Sequence, residues 1–207
     1  MCHHILPFDL HSDSPPNPIL NCFAKKTIIL FMTDIKTELM ALLRAKYVAG
    51  EPVKVLFVCL GNICRSPAAE GLMEAVVAAH GDSRNWVIDS AGTGDYHIGD
   101  LPDRRMRAHA AKRGYDLTHR CRQISMSDFF DFDLIIGMDE SNLRNLRRLA
   151  PTVETEQKIM PMSAFFDDTR HYDYVPDPYY EGAEGFELVL DLLQGATDNL
   201  YNAIATH

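Results

Sequence analysis

The stretch Cys59-Leu60-Gly61-Asn62-Ile63-Cys64-Arg65-Ser66 lies between a run typical of a strand and a run typical of a helix. The run before it, Val53-Lys54-Val55-Leu56-Phe57-Val58, is rich in β-branched and large apolar residues, which indicates a buried strand. The run after it begins Pro67-Ala68-Ala69-Glu70, and proline is common in the first turn of a helix. The sequence therefore predicts a cysteine at the end of a strand and an arginine near the start of a helix.

A short connection of this kind can bind a phosphate-like dianion. Its backbone N–H groups can turn inward, and the following helix adds free N–H groups and the positive end of its dipole. We expect Gly61 to adopt backbone angles that a side chain would forbid, and Ser66 to cap the helix. Arg65 offers a planar guanidinium that matches two phosphate oxygens. We call residues 59–66 the phosphate loop, and its predicted phosphate-binding members besides Arg65 are Leu60, Gly61, Asn62, Ile63, Cys64 and Ser66.

The same positive field acts on Cys59. We predict that Cys59 is largely thiolate at neutral pH, which would make it a nucleophile for covalent phosphoryl transfer. A cysteine that merely ends a buried strand is the simpler reading of an isolated residue. Here an arginine, a serine and a proline follow at the positions that anion chemistry needs. A Walker-type nucleotide loop is excluded, because the chain contains no Gly-Lys-Ser or Gly-Lys-Thr.

With these residues the sequence resembles the low-molecular-weight protein tyrosine phosphatases. Their signature is Cys-x5-Arg-Ser near the start of the domain and Asp-Pro-Tyr-Tyr near its end. Both occur here, at Cys59 to Ser66 and at Asp177 to Tyr180. Segments between them, such as Asp89-Ser90-Ala91-Gly92-Thr93, are also similar to the family. The resemblance runs from about Val53 to the C-terminal helix.

The resemblance implies hydrolysis of phosphotyrosine in proteins through a phosphocysteine intermediate, without a cofactor or a metal. It implies that Cys59 attacks phosphorus, that Arg65 holds the phosphoryl oxygens, and that Asp177 protonates the leaving oxygen. It implies pocket walls at Tyr96, Tyr179 and Tyr180, and supporting hydrogen bonds from Ser90, His119 and Asp139. From the residues alone, Asp177 could be a solvated turn residue, the tyrosines ordinary packing, His119 a surface histidine, and Asp139 a helix cap.

Three alternative functions stay open at this point. Thioredoxin-coupled arsenate reductases share the fold and the Cys-x5-Arg loop but carry a downstream cysteine pair, whereas only Cys121 lies downstream here. Protein-arginine phosphatases are closer, and in that branch the position of Ile63 is typically threonine. A non-catalytic phosphoprotein-binding module would be expected to lack the nucleophile or the acid, and both Cys59 and Asp177 are present.

Composition bounds the partners and the compartment. The chain of 207 residues has a formal net charge of −9, which argues against general nucleic-acid binding. Its five cysteines show no Cys-x2-Cys pair, so neither a disulfide framework nor a zinc site is predicted. We expect a cytoplasmic protein without a membrane span, with phosphotyrosine proteins as partners and a tyrosine kinase among them. A reversible disulfide between Cys59 and Cys64 is a further hypothesis, weighed equally against plain packing of Cys64.

Alternation of short apolar strands with helices predicts one α/β domain. We expect three layers, with a four-stranded parallel sheet flanked by helices in a flavodoxin-like order. Residues 1–32 are predicted to be a disordered extension or a mis-called start, with Met32 as the alternative initiator, and 33–52 an additional helix and linker before the phosphatase domain at 53–207. The additional helix carries an apolar stripe of Ile35, Leu39, Leu42 and Leu43. Predicted strands are 53–58, 86–89, 132–137 and 158–161, and predicted helices are 67–80, 103–113, 125–130, 141–149 and 184–205.

Overall fold

The computed structural model describes residues 36–167 and 171–206, so the predicted extension at 1–32 lies outside the described residues. Four strands form one parallel sheet in the order β2-β1-β3-β4, which confirms the predicted architecture and strand order. The strands are β1 (Val53–Cys59), β2 (Trp86–Gly92), β3 (Leu134–Gly137) and β4 (Ile159–Pro161).

Helices cover both faces of this sheet. Residues 36–48 are helical and are called α1. The others are α2 (Arg65–Ala79), α3 (Arg104–Lys112), α4 (Asp128–Asp131), α5 (Glu140–Leu149), α6 (Val153–Glu156) and α7 (Ala183–Ala205). The described helices include none that is both long enough and apolar enough to cross a bilayer.

Side chains of β1 alternate between two apolar clusters, because successive residues of a strand point to opposite faces. Val55 and Phe57 belong to the larger cluster, which also contains the apolar residues of α2 and α7. Leu56 and Val58 belong to the second cluster, with residues of α4 and α5. All four side chains are completely buried. Packing of β1 on both faces therefore fixes the position of Cys59, its last residue, at the end of the sheet.

The end of one strand and the start of one helix differ from the prediction, and both differences affect the site. Strand β2 continues to Gly92 rather than ending at Asp89, because its pairing with β1 persists until Gly92 lies beside Cys59. Helix α2 begins at Arg65 rather than Pro67, with Cys64 in the capping position and no side-chain cap. Ser66 is consequently inside the first turn, and the prediction that it caps the helix was wrong.

Helix α1 packs against the larger core cluster. Leu43 is 1% exposed, and Leu39 and Tyr47, one turn to either side, lie partly buried against the same cluster. The Tyr47 hydroxyl donates to Asp82 at 2.6 Å, and Lys46 pairs with Asp133 at 2.6 Å. Leu42, predicted on the same stripe, is 65% exposed, since consecutive helical residues point about 100° apart.

Leu43→Ala should lower the free energy of unfolding by about 2–5 kcal/mol, because it removes a buried side chain and leaves a cavity. Leu42→Ala is the matched control, and its effect should stay within about 0.5 kcal/mol. Urea denaturation followed by circular dichroism measures both. Equal losses at the two positions would contradict the packing of α1 described here.

Candidate active site

The phosphate loop contains a left-handed residue, and it is Asn62. Among the described residues other than glycine, only Asn62 has a positive φ, of 55°. Asparagine tolerates this region better than most side chains. The expectation that Gly61 supplies the unusual backbone angles was wrong, because its φ is not in the left-handed region. What a side chain at Gly61 would meet is the ring of His97, 3.3 Å from an added Cβ.

The side chain of Asn62 is completely buried and uses both ends of its amide. Its Nδ2 donates to the hydroxyl of Ser66 at 2.9 Å and to that of Ser90 at 2.8 Å. Its Oδ1 accepts from the backbone N–H of Arg122 at 2.9 Å and lies 3.0 Å from Nε2 of His119. Because Oδ1 is an acceptor, Nε2 of His119 donates. These four contacts hold the strained residue in place.

Ser66 links this support to the cysteine. Its hydroxyl lies 3.1 Å from Sγ of Cys59 and 3.2 Å from the carbonyl oxygen of Ala91. Since Asn62 donates to this hydroxyl, its single proton is left for the sulfur or for the carbonyl. A negative charge on Cys59 favours donation to sulfur, so Ser66 can stabilise a thiolate directly.

A second layer lies behind Asn62. Nδ1 of His119 is 3.0 Å from Oε2 of Glu70, and the Ser90 hydroxyl donates to the same carboxylate at 2.5 Å. Glu70 is 8% exposed. Sequence reasoning identified Ser90 and His119 through the resemblance but missed Glu70. The available signal was a glutamate in the first turns of the helix that follows the loop.

Glu70, Asp89 and His119 bring potential metal-ligating atoms within 4.8 Å of one another, and theirs is the one such group within residues 36–167 and 171–206. Each member already has protein partners. Asp89 pairs with Arg122 at 2.7 Å, while His119 contacts Asn62 and Glu70. Through these contacts the three side chains support Asn62 and the phosphate loop.

Gly92 lets the loop lie directly on the end of the sheet. A Cβ at Gly92 would lie 2.7 Å from the carbonyl oxygen of Leu60 and 3.2 Å from the backbone nitrogen of Asn62. The next residue, Thr93, donates its backbone N–H to the carbonyl oxygen of Cys59 at 2.9 Å. Any larger residue than glycine would push the loop away from β2.

Arg65 lies between two carboxylates. Its Nη1 donates to Asp139 at 2.6 Å, and its Nη2 donates to Asp177 at 2.7 Å. Burial lowers the pKa of this guanidinium, but the charges of Cys59, Asp177 and Asp139 outweigh burial and raise it. Asp139 also accepts from the backbone N–H of Asn142 at 2.7 Å, so it caps α5 and orients Arg65 at once.

Asp177 precedes a short 3-10 turn, Pro178–Tyr180. The backbone N–H of Tyr179 donates to Oδ1 of Asp177 at 3.2 Å, and Oδ2 accepts from Arg65. The carboxylate side chain is 45% exposed. It contacts Arg65 of the phosphate loop while it keeps access to solvent.

These groups share one cavity of about 230 Å³. The structure brings the nucleophile, arginine and acid predicted from the sequence together there with the three predicted tyrosines. His97, which sequence reasoning missed, also lines it. The full lining is Cys59, Leu60, Gly61, Ile63, Cys64, Arg65, Tyr96, His97, Asp177, Tyr179 and Tyr180. Tyrosine side chains beside the phosphate loop suit a flat ring that carries a phosphate.

The two other described cysteines, Cys64 and Cys121, are buried thiols with raised pKa values. Burial, followed by the charge of Asp103, raises the pKa of Cys64 well above that of an ordinary thiol. Burial, followed by the charge of Asp100, raises the pKa of Cys121 to about 11. The thiol of Cys121 donates to the carbonyl oxygen of Asn62 at 2.7 Å. Both are neutral at physiological pH.

The chain is similar to known proteins over most of its length. The family model described as low molecular weight phosphotyrosine protein phosphatase matches residues 54–207. A low-molecular-weight protein-tyrosine-phosphatase of Streptomyces coelicolor is 42% identical over 152 residues, which cover 73% of this chain and 93% of the relative.

Two solved structures are also similar. A protein tyrosine phosphatase of Entamoeba histolytica shares 45% identity with a TM-score of 0.69, covering 72% of this chain and 94% of that one. A Drosophila arginine phosphatase shares 32% identity with a TM-score of 0.69, covering 74% of this chain and 99% of that one.

Iodoacetamide at pH 7 should modify Cys59 well before Cys64 or Cys121. With a pKa of about 11, only about one part in ten thousand of Cys121 is thiolate at pH 7, and its labelling should rise about tenfold per pH unit towards that value. Peptide mapping by mass spectrometry reads each site, with guanidinium-unfolded protein as the control. Labelling of Cys64 or Cys121 as fast as Cys59 in the folded protein would be the contrary result.

The disulfide hypothesis for Cys59 and Cys64 stays a prediction. Activity lost to peroxide should return with a thiol in the wild type but not in Cys64→Ser, because Cys59 would then pass to an irreversible oxidation state. Activity assays before and after reduction measure this. Full recovery of Cys64→Ser would remove the hypothesis.

Proposed function

Because the chain belongs to the low-molecular-weight phosphotyrosine protein phosphatase family, we propose that it hydrolyses phosphotyrosine in proteins through a phosphocysteine at Cys59. The observation that carries the proposal is the placement of Cys59, Arg65 and Asp177 on one aromatic-walled cavity. A nucleophile, an anion-binding guanidinium and a carboxyl group are the parts that phosphoryl transfer needs.

In the first half-reaction, Sγ of Cys59 attacks phosphorus while the bond from phosphorus to the tyrosyl oxygen breaks. The electron pair of that bond stays with the leaving oxygen, which takes the proton of Asp177. Arg65 and the N–H groups of the phosphate loop hold the equatorial oxygens through the transition state. Tyr96 and Tyr179 contact the departing ring.

In the second half-reaction, water attacks the phosphocysteine. The Asp177 carboxylate accepts a proton from this water, the sulfur–phosphorus bond breaks, and inorganic phosphate leaves. Cys59 returns as a thiolate that can accept a hydrogen bond from Ser66, 3.1 Å away. Apart from this water, the groups named in the two steps belong to residues of the chain.

Arginine phosphatase activity is the second candidate, since a solved relative carries that name. Ile63 supports the tyrosine reading, because the arginine branch typically has threonine at this position and Ile63 lines the cavity here. An apolar side chain suits an aromatic ring, whereas a guanidinium would leave its donors without a partner there.

The proposal extends to the surroundings of the enzyme. A nucleophile that must stay a thiolate suits a reducing compartment, and we place the protein in the cytoplasm on that ground. Its substrates require a protein-tyrosine kinase in the same compartment, which makes such a kinase the implied partner.

Hydrolysis of p-nitrophenyl phosphate with a chelator present should be catalysed by the wild type and abolished in Cys59→Ser. Asp177→Asn should lower kcat/KM for phenyl phosphate by about 10²–10⁴-fold, because the leaving phenolate loses its proton donor. Release of phenol and phosphate measures both. No turnover by the reduced wild type would overturn the proposal.

Phosphotyrosine peptides should be hydrolysed faster than phosphoarginine peptides by the wild type, and Ile63→Thr should narrow that ratio. Phosphate release from the two peptide classes at equal concentration measures the ratio. A wild-type preference for phosphoarginine would replace the tyrosine reading with the arginine one.

A further inference from the structure

Arg105, the second residue of α3, reaches across to the loop that carries Asp177. Its Nη1 donates to the carbonyl oxygen of Tyr179 at 3.0 Å. Its guanidinium carbon lies 5.2 Å from the centre of the Tyr179 ring and 4.9 Å from that of the Phe186 ring in α7. The Arg105 side chain therefore contacts both the backbone and the ring of Tyr179, and it connects the loop that carries Asp177 to α7.

The guanidinium of Arg105 is itself fixed from the opposite side. Asp103 accepts from Nε of Arg105 at 3.0 Å and from Nη2 at 2.8 Å, in a paired arrangement. Asp103 also accepts the backbone N–H of Arg105 at 2.8 Å, as the cap of α3. The hydrogen bond from Arg105 is the largest influence on Asp103 and lowers the pKa of that carboxyl. The Arg105 side chain is 45% exposed, so directional contacts hold it rather than burial.

Asp103 connects this arrangement to the phosphate loop. Its backbone N–H donates to the carbonyl oxygen of Ile63 at 2.7 Å. A continuous path of contacts thus runs from Ile63 through Asp103 and Arg105 to Tyr179. Tyr179 in turn donates its backbone N–H to Asp177 at 3.2 Å. The path begins in the phosphate loop and ends at Asp177.

We propose that Arg105 is a positioning residue that sets the distance between Asp177 and the phosphate held by the loop. The proposal rests on the acid role proposed for Asp177. Proton transfer requires donor and acceptor atoms within hydrogen-bond reach, and a displacement of about 1 Å can cost about 100-fold in rate. Without Arg105, Asp177 keeps its bond to Arg65 but loses the support of the turn that follows it.

The test compares kcat/KM for aryl phosphates whose leaving phenols range from p-nitrophenol to phenol. This parameter covers every step up to cleavage of the ester bond, which is the step that the proton of Asp177 serves. Poor leaving groups depend on that proton and good ones hardly do. Asp177→Asn removes the proton donor altogether, so it shows the strongest dependence of kcat/KM on the leaving phenol that loss of the acid can produce.

Arg105→Met should lower kcat/KM by about 10- to 100-fold for phenyl phosphate but by about 3-fold or less for p-nitrophenyl phosphate. Arg105→Lys keeps the charge but not the paired contact with Asp103, and it should show the same dependence to a smaller extent, which keeps the test valid if Arg105→Met does not fold. Arg104→Met is the matched control, because the side chain of Arg104 makes no hydrogen bond or ion pair to any residue in the described part of the chain.

If the Arg105 variants lose kcat/KM equally for every substrate in the series, the proposal is overturned, because weakened packing of the pocket would lower kcat/KM for all substrates alike. A loss in Arg104→Met as large as in Arg105→Met would overturn it as well. Failure of the proposed function looks different. In that case the wild type hydrolyses none of these esters, or Cys59→Ser keeps the turnover, and the positioning role falls with it.

Discussion

The buried amide of Asn62 is the contact on which the rest of the site depends. A left-handed residue costs free energy unless its surroundings hold it, and Asn62 is held through both ends of its amide. The same side chain reaches Ser66, whose hydroxyl lies beside the sulfur of Cys59. The same hydrogen bonds therefore fix both the conformation of the phosphate loop and the surroundings of the Cys59 sulfur. Ser90 and His119, which contact Asn62, are in turn held by Glu70 of α2. The helix whose positive dipole end lies at the phosphate loop therefore also supports the most strained residue of that loop.

Ion pairs of Arg65 form the second part of the site. Arg65 is 3% exposed, and a buried guanidinium needs partners, which Asp139 and Asp177 provide. Asp139 is fixed because it also caps α5. Asp177 is held by its own turn and by the arginine, so its position follows that of residues 178–180. Asp177 thus has one contact to the phosphate loop and one to its own segment, and Arg105 connects that segment to α3.

The sequence predicted the parts of this enzyme that are local in the chain. The spacing from Cys59 to Ser66 indicated strand, loop and helix, and alternation of short apolar runs indicated the parallel sheet. Where prediction failed, side-chain contacts that form only in the folded site decided the outcome. Ser66 is a good helix cap by its residue type, but Asn62 and Cys59 engage its hydroxyl instead. Gly61 invited the assignment of unusual backbone angles, whereas the asparagine beside it could adopt them because Ser90, His119 and Arg122 converge on it. Glu70, His97 and Arg105 carry no motif of their own, and only the fold brings them to the site.

The central claim is that Cys59, held by this arrangement, bonds covalently to phosphorus. Rapid mixing of the enzyme with p-nitrophenyl phosphate, followed by an acid quench within the first turnover and mass spectrometry of the Cys59 peptide, tests it most directly. The account predicts a phosphoryl group on Cys59 that forms with the burst of p-nitrophenol and disappears as substrate is exhausted. A burst without any phosphoryl group on Cys59, or a phosphoryl group on another residue, would contradict it.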